Sequence, residues 1–186
     1  MDNFFVDKTL YAGRPSERRS SAEEKVYDAL DSLSISYERV DHGEAATIDK
    51  CLDVENVLGV KIVKNLFLCN TQKTKFYMLI MPGGKVFKTK DLSSQIGSAR
   101  LSFGDADAME RLLGVFPGSM SIFGLLNDTE NEVRLLIDRD VLSLESVGFH
   151  PCKNTSTLKV RTSDVLNKFV HYVKHEPTFV ELPEYE

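Results

Sequence analysis

Apolar residues recur at helical spacing near the start of the chain and again near its end. Val26, Leu30 and Leu33 fall on one helical face behind Ser20 and Ser21, which suit an N-cap, and so predict a helix to about residue 33. A second helix is predicted between Thr47 as its cap and Gly59 as its stop, with four apolar residues facing inward: Ile48, Leu52, Val54 and Leu58. The same pattern predicts helices over 91–96, 105–113, 140–144 and 162–173.

Runs rich in β-branched and aromatic residues alternate irregularly with these helices. Residues 61–68 and 76–81 flank the polar turn 70–74 and predict a β-hairpin. Further strands are predicted over 36–41, 85–88, 132–138, 157–160 and 179–182. Because regular βαβ alternation is absent, the pattern predicts an α+β fold with a mixed, mainly antiparallel sheet flanked by helices.

The stretch 113–128 combines features that do not belong in one helix or in one surface loop. It carries three glycines, one proline and two serines among apolar residues such as Phe116 and Phe123. Pro117 and Gly118 would break a core helix, whereas a surface loop would not expose so many apolar side chains. We interpret it as a half-buried loop whose backbone lines a ligand cavity, the alternative being a tight turn between two core segments.

Length and charge limit the class of protein. With 186 residues, 42% of them hydrophobic and 27% charged, the chain has the composition of an ordinary globular domain. We predict an N-terminal extension over 1–20 and one domain over 21–186. A net charge of −5 argues against non-specific coating of nucleic acid but allows a local basic site. No apolar run could span a bilayer, and the three cysteines form no CxxC pair, which fits a cytoplasmic protein with reduced thiols.

Four sets of side chains could carry chemistry. Lys64 heads an apolar strand face, where it is either solvated or partly desolvated and able to hold an anion. His150 and Cys152 could form a nucleophilic pair, although a plain turn is the simpler interpretation. His171 and His175 have the spacing of metal ligands but lack further ligands. A basic strip either contacts phosphates or guards an edge strand, and consists of Lys85, Lys88 and Lys90.

Four blocks of sequence together resemble the YbaK/prolyl-tRNA synthetase-associated domain family, and within it the ProX/PrdX branch. The blocks are Lys64-Asn-Leu-Phe-Leu68, Arg100-Leu-Ser-Phe103, Gly114-Val-Phe-Pro-Gly-Ser119 with Phe123-Gly-Leu-Leu-Asn-Asp128, and Gly148-Phe-His-Pro151 with Asn154, Thr155 and Thr157. They occur in the family's order, and the resemblance runs from about residue 21 to 182.

The resemblance implies a partly barrel-like sheet and an enzyme that removes a wrong amino acid, typically alanine, from tRNA(Pro) in trans. It implies no metal, no cofactor and no covalent intermediate. Its partners would be the acceptor end of the mischarged tRNA and prolyl-tRNA synthetase. The family's functional lysine falls on Lys64. Its substrate-binding positions fall on Asn65, Gly118, Ser119, Met120, Ser121, Ile122 and His150.

One position departs from the family's loop pattern Gly-x-x-x-Pro. Residue 122 is isoleucine instead of proline, so a silent module that binds aminoacyl-tRNA or a free amino acid is the competing hypothesis. In the deacylase, loop N–H groups would stabilise the carbonyl oxygen, Lys64 would hold a phosphate or the ribose, and Met120 and Ile122 would wall a pocket for small amino acids. We expect Ile122→Pro to be tolerated if the loop already has the family's shape.

Overall fold

The computed structural model describes residues 4–44 and 48–185, whose strands divide between two sheets. The strands are β1 (Tyr11–Ala12), β2 (Tyr37–Asp41), β3 (Lys64–Asn70), β4 (Phe76–Met81), β5 (Leu101–Phe103), β6 (Val133–Asp138), β7 (Ser146–Phe149), β8 (Ser156–Arg161) and β9 (Thr178–Val180). The first sheet is antiparallel throughout and has the order β1-β2-β8-β7. The second has the order β5-β3-β4-β6-β9 and is mixed, because β6 runs parallel to β4 and to β9.

The helices lie between these strands in sequence and confirm the α+β class. They are α1 (Ser21–Ser32), α2 (Ile48–Leu58), α3 (Thr89–Ser93), α4 (Ala106–Leu113), α5 (Thr162–Asp164) and α6 (Val170–Tyr172), with 3-10 helices at Ile122–Leu126 and Arg139–Ser143. A π-helical turn, Val165–Phe169, joins α5 to α6. Ser20 and Glu23 form a capping box at the start of α1, as its sequence predicts. The predicted cap Thr47 lies outside the described residues.

The β3–β4 hairpin forms the centre of the second sheet, and both of its faces are covered. On one face Phe67 and Met78 join the main core, which lies between the sheets. On the other face Leu68 and Leu79 pack with Leu92 of α3. Since every residue of β4 is buried, this strand is apolar throughout instead of alternating.

The two sheets approach each other closely at Ile62 and Gly148. These residues form a parallel bridge, in which the Gly148 N–H donates to the Lys61 carbonyl at 2.8 Å. A Cβ atom on Gly148 would lie 3.0 Å from Ile62 Cγ1 and 3.3 Å from Thr157 Cγ2. A larger residue would therefore push the sheets apart, so the glycine permits the contact.

Residues 4–20 pack on the first sheet and on α1. Tyr11 and Ala12 pair with β2, and Val6 bridges to His42. Arg14 forms ion pairs with three carboxylates of α1, those of Glu24, Asp28 and Asp31. Within this chain, residues 4–20 therefore contact the rest of the domain through β2, His42 and α1.

Three local predictions are wrong. Residues 85–88 form a turn and an extended segment, not a strand. Strand β7 lies where no strand was predicted, in a run of four residues that includes a glycine. Leu52 is 47% exposed instead of facing inward, whereas Val54 and Leu58 are buried as predicted. Among the described residues, no helix combines the length and apolar character needed to cross a bilayer.

Candidate active site

A cleft of about 890 Å³ lies beside the place where the two sheets meet. Its walls come from α2, the start of β3, the turn after β4, the loop around Gly118 and the 3-10 helix Arg139–Ser143. Apolar lining residues include Leu52, Ile62, Leu66, Met120 and Leu144; charged ones are Glu55, Lys61, Lys64, Asp140 and Glu184. An apolar cleft with a few converging polar groups is the usual form of a small-molecule site.

Lys64 occupies the first position of β3 and lines this cleft. Strand alternation places it on the same face as Leu66 and Leu68, as predicted. The half-buried ammonium donates one hydrogen bond, to the Lys85 carbonyl at 2.6 Å. A lysine ammonium has three donors, so two remain without a partner among residues 4–44 and 48–185 and are available to an anionic ligand.

Lys85 is not part of a solvated basic strip, and that prediction is wrong. Its side chain is 4% exposed, and its Nζ donates to Asp138 at 2.9 Å, Asp140 at 2.6 Å and the Leu182 carbonyl at 2.7 Å. Burial alone would lower the pKa of this ammonium, but the hydrogen bonds to Asp140 and Asp138 outweigh it and raise the pKa. Because the Lys85 side chain is anchored in this way, its carbonyl is a fixed acceptor for Lys64.

The loop around Gly118 presents backbone to the cleft. Gly118 has φ of 87°, which favours glycine, and Ser119 N–H closes a turn onto the Phe116 carbonyl at 2.9 Å. Gly118 and Met120 line the cleft, and the N–H groups of both lack a partner in the described part of the chain. This agrees with the interpretation of the stretch as a half-buried loop around a cavity.

Three of the predicted substrate-binding residues do not line the cleft. Ser119 is buried, and the hydroxyl of Ser121 caps the following 3-10 helix by accepting from Phe123 N–H at 3.2 Å. The side chain of Ile122 is 1% exposed and packs in the main core, so it does not wall the pocket with Met120. What these residues contribute is the shape of the loop backbone.

Asn65 holds this loop against the sheet. It points to the opposite face of β3 from Lys64, and its Oδ1 accepts a hydrogen bond from Ile122 N–H at 2.8 Å. Its Nδ2 donates to the Val63 carbonyl at 3.1 Å. Asn65 also lines the cleft, but its carboxamide already has these two partners within the protein.

His150 lines the cleft from the first sheet's side. Its Nδ1 lies 2.9 Å from the Ser156 carbonyl oxygen, which can only accept, so Nδ1 carries the proton. Burial, with a smaller contribution from the nearby His42, lowers the pKa of His150 to about 4 against the raising effect of the Ser156 carbonyl. The ring is therefore neutral at pH 7.

The structure argues against the thiol and metal alternatives. Burial raises the pKa of Cys152 to about 12, so the residue is a thiol and not a nucleophilic thiolate at neutral pH. His171 is exposed on α6, while His175 lies beyond that helix and forms a buried pair with Asp128 at 2.8 Å. The two histidines therefore do not converge on one metal ion.

Comparisons with known proteins show the family of this chain. The family model of the aminoacyl-tRNA editing domain matches residues 42–168, which include Lys64, the loop and His150. The chain is similar to the prolyl-tRNA editing protein ProX of Acetoanaerobium sticklandii, with 33% identity over 77% of this chain and 88% of that protein. It is also similar to prolyl-tRNA synthetase associated domain-containing protein 1 of Mus musculus, with 30% identity over 87% of this chain and 95% of that protein.

A solved structure supports the fold independently. It is described as a candidate trans-editing enzyme for prolyl-tRNA synthetase and matches with a TM-score of 0.67 and 12% identity, covering 89% of this chain and 100% of that chain. At this identity the likeness concerns the fold alone. The family model covers residues 42–168, and the ProX match covers 77% of this chain. The chain therefore belongs to the aminoacyl-tRNA editing domain family and is an aminoacyl-tRNA deacylase.

Proposed function

We propose that this deacylase acts in trans on mischarged tRNA(Pro), and that Ala-tRNA(Pro) is its main substrate. The observation that carries the proposal is the convergence of Lys64, the backbone of Gly118 and Met120, and His150 on one cleft. The similarity to ProX, a prolyl-tRNA editing protein by name, supports the choice of tRNA.

In this mechanism the cleft positions an ester that is already activated. Free N–H groups at Gly118 and Met120 are suited to stabilise the negative charge that develops on the ester carbonyl oxygen. The ammonium of Lys64 holds a phosphate or the ribose of the terminal adenosine through its two remaining donors. The neutral imidazole of His150 accepts a hydrogen bond at Nε2. A water molecule attacks the carbonyl carbon, and the tRNA leaves with its 3′ hydroxyl restored.

Selection for a small amino acid follows from the apolar wall of the cleft. Met120, Ile62 and Leu144 line it together with Val63. A rigid wall rejects a larger side chain by steric clash more effectively than it attracts a small one, because one methylene contributes only about 1–3 kcal/mol. Binding to prolyl-tRNA synthetase would bring the enzyme to freshly charged tRNA and belongs to the same proposal.

The test is single-turnover hydrolysis of a panel of tRNAs charged with a labelled amino acid. The panel contains Ala-tRNA(Pro), Ser-tRNA(Pro), Pro-tRNA(Pro) and Ala-tRNA(Ala), which separate the choice of amino acid from the choice of tRNA. We expect Ala-tRNA(Pro) to lose its label fastest and Pro-tRNA(Pro) to stay intact. If the protein binds these tRNAs but hydrolyses none of them, it is the silent binding module that Ile122 leaves open.

A further inference from the structure

A row of hydrogen-bonded side chains lies behind the cleft and ends at His150. The Oγ1 atom of Thr157 lies 2.8 Å from Nε2 of His42 and 3.3 Å from Nδ1 of His150. The two imidazole rings are 5.7 Å apart between centroids. The backbone N–H of His42 donates to the Thr155 carbonyl at 3.0 Å and so continues the β2–β8 ladder beyond Asp41.

Two backbone carbonyls determine the direction of every hydrogen bond in this row. Nδ1 of His42 lies 2.7 Å from the Gly43 carbonyl oxygen, which can only accept, so this nitrogen carries the proton. In a neutral His42 ring Nε2 is then bare and accepts from the Thr157 hydroxyl. With its hydrogen committed to His42, Thr157 presents a lone pair to the Nδ1–H of His150, which also donates to the Ser156 carbonyl.

The side chains of this row are buried and uncharged, which the hydrogen-bond directions described above require. His42 is 2% exposed and Thr157 is fully buried. Burial lowers the pKa of His42, against the raising effects of the Gly43 carbonyl and the Asp41 carboxylate. His42 also lowers the pKa of His150, after the larger effect of burial.

We propose that His42 is a positioning residue. Through Thr157, it holds His150 in the tautomer with a protonated Nδ1 and an unprotonated Nε2. Because Nδ1 points inward to Ser156, Nε2 is the polar edge of the ring that remains for the cleft, and it has no partner among the described residues. There it accepts a hydrogen bond from an N–H or O–H group of the aminoacyl ester or of the attacking water. This inference rests on the proposed function only for the identity of that donor.

Without His42 as an acceptor, the hydrogen bonds between Thr157 and His150 can take a second arrangement. The Thr157 hydroxyl would be free to turn and donate to Nδ1 of His150, which would move the ring proton to Nε2 and replace the acceptor in the cleft by a donor. The Ser156 carbonyl opposes that change, so the two tautomers would compete. Because His42 accepts the hydroxyl hydrogen of Thr157, that hydroxyl cannot donate to Nδ1 of His150. One tautomer of His150 is then favoured.

Long-range ¹H–¹⁵N correlation spectra of the histidine rings test the tautomer directly. We expect His150 of the unmodified protein at pH 7 to show a protonated Nδ1 and a bare Nε2. In His42→Phe, which frees the Thr157 hydroxyl to donate to Nδ1, we expect a mixture of tautomers at His150. Thr157→Val has no hydroxyl to donate, so the Ser156 carbonyl should keep the single tautomer there, and Thr157→Ser should also keep it because its hydroxyl still donates to His42. His171→Gln, at an exposed histidine, should leave the tautomer unchanged. A protonated Nε2 in the unmodified protein, one unchanged tautomer in His42→Phe, or a mixture in Thr157→Val overturns the proposal.

Deacylation of Ala-tRNA(Pro) gives a second measurement on the same variants. We expect the single-turnover rate constant to fall about tenfold in His42→Phe and to stay within about twofold of the parent in Thr157→Val and Thr157→Ser. Equal thermal midpoints of His42→Phe and Thr157→Val would separate positioning from a loss of fold. A tenfold loss in Thr157→Val as well contradicts the proposal. If the unmodified protein deacylates no tRNA, the proposed function fails, and the spectra alone decide the role of His42.

Discussion

The carboxamide of Asn65 and the backbone N–H of Ile122 form a hydrogen bond of 2.8 Å between the edge of the cleft and the loop beside it. Ile122 is the position where the family's loop pattern has proline, which has no N–H to donate. In this chain the departure from the pattern therefore supplies a contact that the pattern itself could not form. Asn65 uses that contact to hold the loop, so we assign it a positioning role.

Ile122→Pro should destabilise the protein, contrary to the expectation from sequence. Proline removes the N–H that Asn65 binds and fills less of the core, and the two losses together should cost about 2–4 kcal/mol of unfolding free energy. The deacylation rate should also fall, because the loop loses its hydrogen bond to Asn65. Ile122→Val keeps the N–H and should cost only about 0.5–1.5 kcal/mol. Urea unfolding measures both variants, and an Ile122→Pro protein as stable and active as the parent would contradict the role of this bond.

Lys64→Ala should reduce deacylation at least roughly a hundredfold, equivalent to about 2.7 kcal/mol of transition-state stabilisation. Alanine leaves the fold intact but cannot bind a phosphate. Lys64→Arg should also lose activity, because a planar guanidinium cannot keep the short contact to the Lys85 carbonyl. Single-turnover rates measure the effect, and Lys75→Ala, at an exposed lysine of another surface, is the matched control. Near-normal turnover of Lys64→Ala would remove this lysine from the site.

Lys85→Met should be the most destabilising of these substitutions, by about 3–5 kcal/mol, because it leaves the buried Asp138 carboxylate without its cation. The exposed partner offers a control, since Asp140→Asn should cost far less. The raised pKa of Lys85 also predicts that its contribution is complete below the ordinary value of 10.5 and is lost as the pH rises through the folded-state pKa above it. Chemical denaturation at pH 7 and at strongly alkaline pH tests both statements.

His150 should make stability depend on pH on the acidic side. Its pKa is about 4 in the folded protein against an ordinary value of 6.5, so between these values the unfolded chain binds more protons. Stability therefore falls as the pH drops from about 6.5 to about 4. His150→Gln should flatten this part of the profile, whereas His171→Gln should not. The measurement is the unfolding free energy across this range, and an unchanged slope in His150→Gln would mean that His150 is not held neutral by its surroundings.

Cys152→Ser should leave the deacylation rate within about twofold of the parent, because a thiol with a pKa of about 12 contributes no thiolate at neutral pH. Alkylation should modify Cys51 first, since that residue is half-buried and lines the cleft. Mass spectrometry after limited labelling identifies the modified cysteine. A hundredfold loss of rate in Cys152→Ser would restore the thiol mechanism.

Local signals in the sequence predict much of the fold. Ser20 and Glu23 fix the start of α1 because a capping box needs only four residues, and the polar turn before Phe76 delimits β4. The strand prediction for residues 85–88 failed because the structure there depends on distant residues instead of local signals. Their alternation resembles a strand, but Lys85 is held by acids 53 and 55 residues away in the chain, and no local pattern reports such a partner.

The residues of the candidate site likewise differ in whether the sequence alone indicates their position. Lys64 and the loop around Gly118 belong to the blocks that resemble the family, so the resemblance implies a place for them in the site. His42 follows a predicted strand without any motif of its own. Its relation to His150 depends on how β2 pairs with β8, which brings together residues 115 positions apart. A single sequence does not give that pairing.

The contact between Ile62 and Gly148 joins the two sheets at the cleft, and Ile62 is also one of the cleft's walls. A residue that inserts even one methyl group there would act as a wedge and tilt one wall relative to the other. The width of the cleft therefore depends on how closely Gly148 approaches Ile62. If the cleft selects amino acids by size as proposed, a substitution at Gly148, which does not line the cleft, would change that selection.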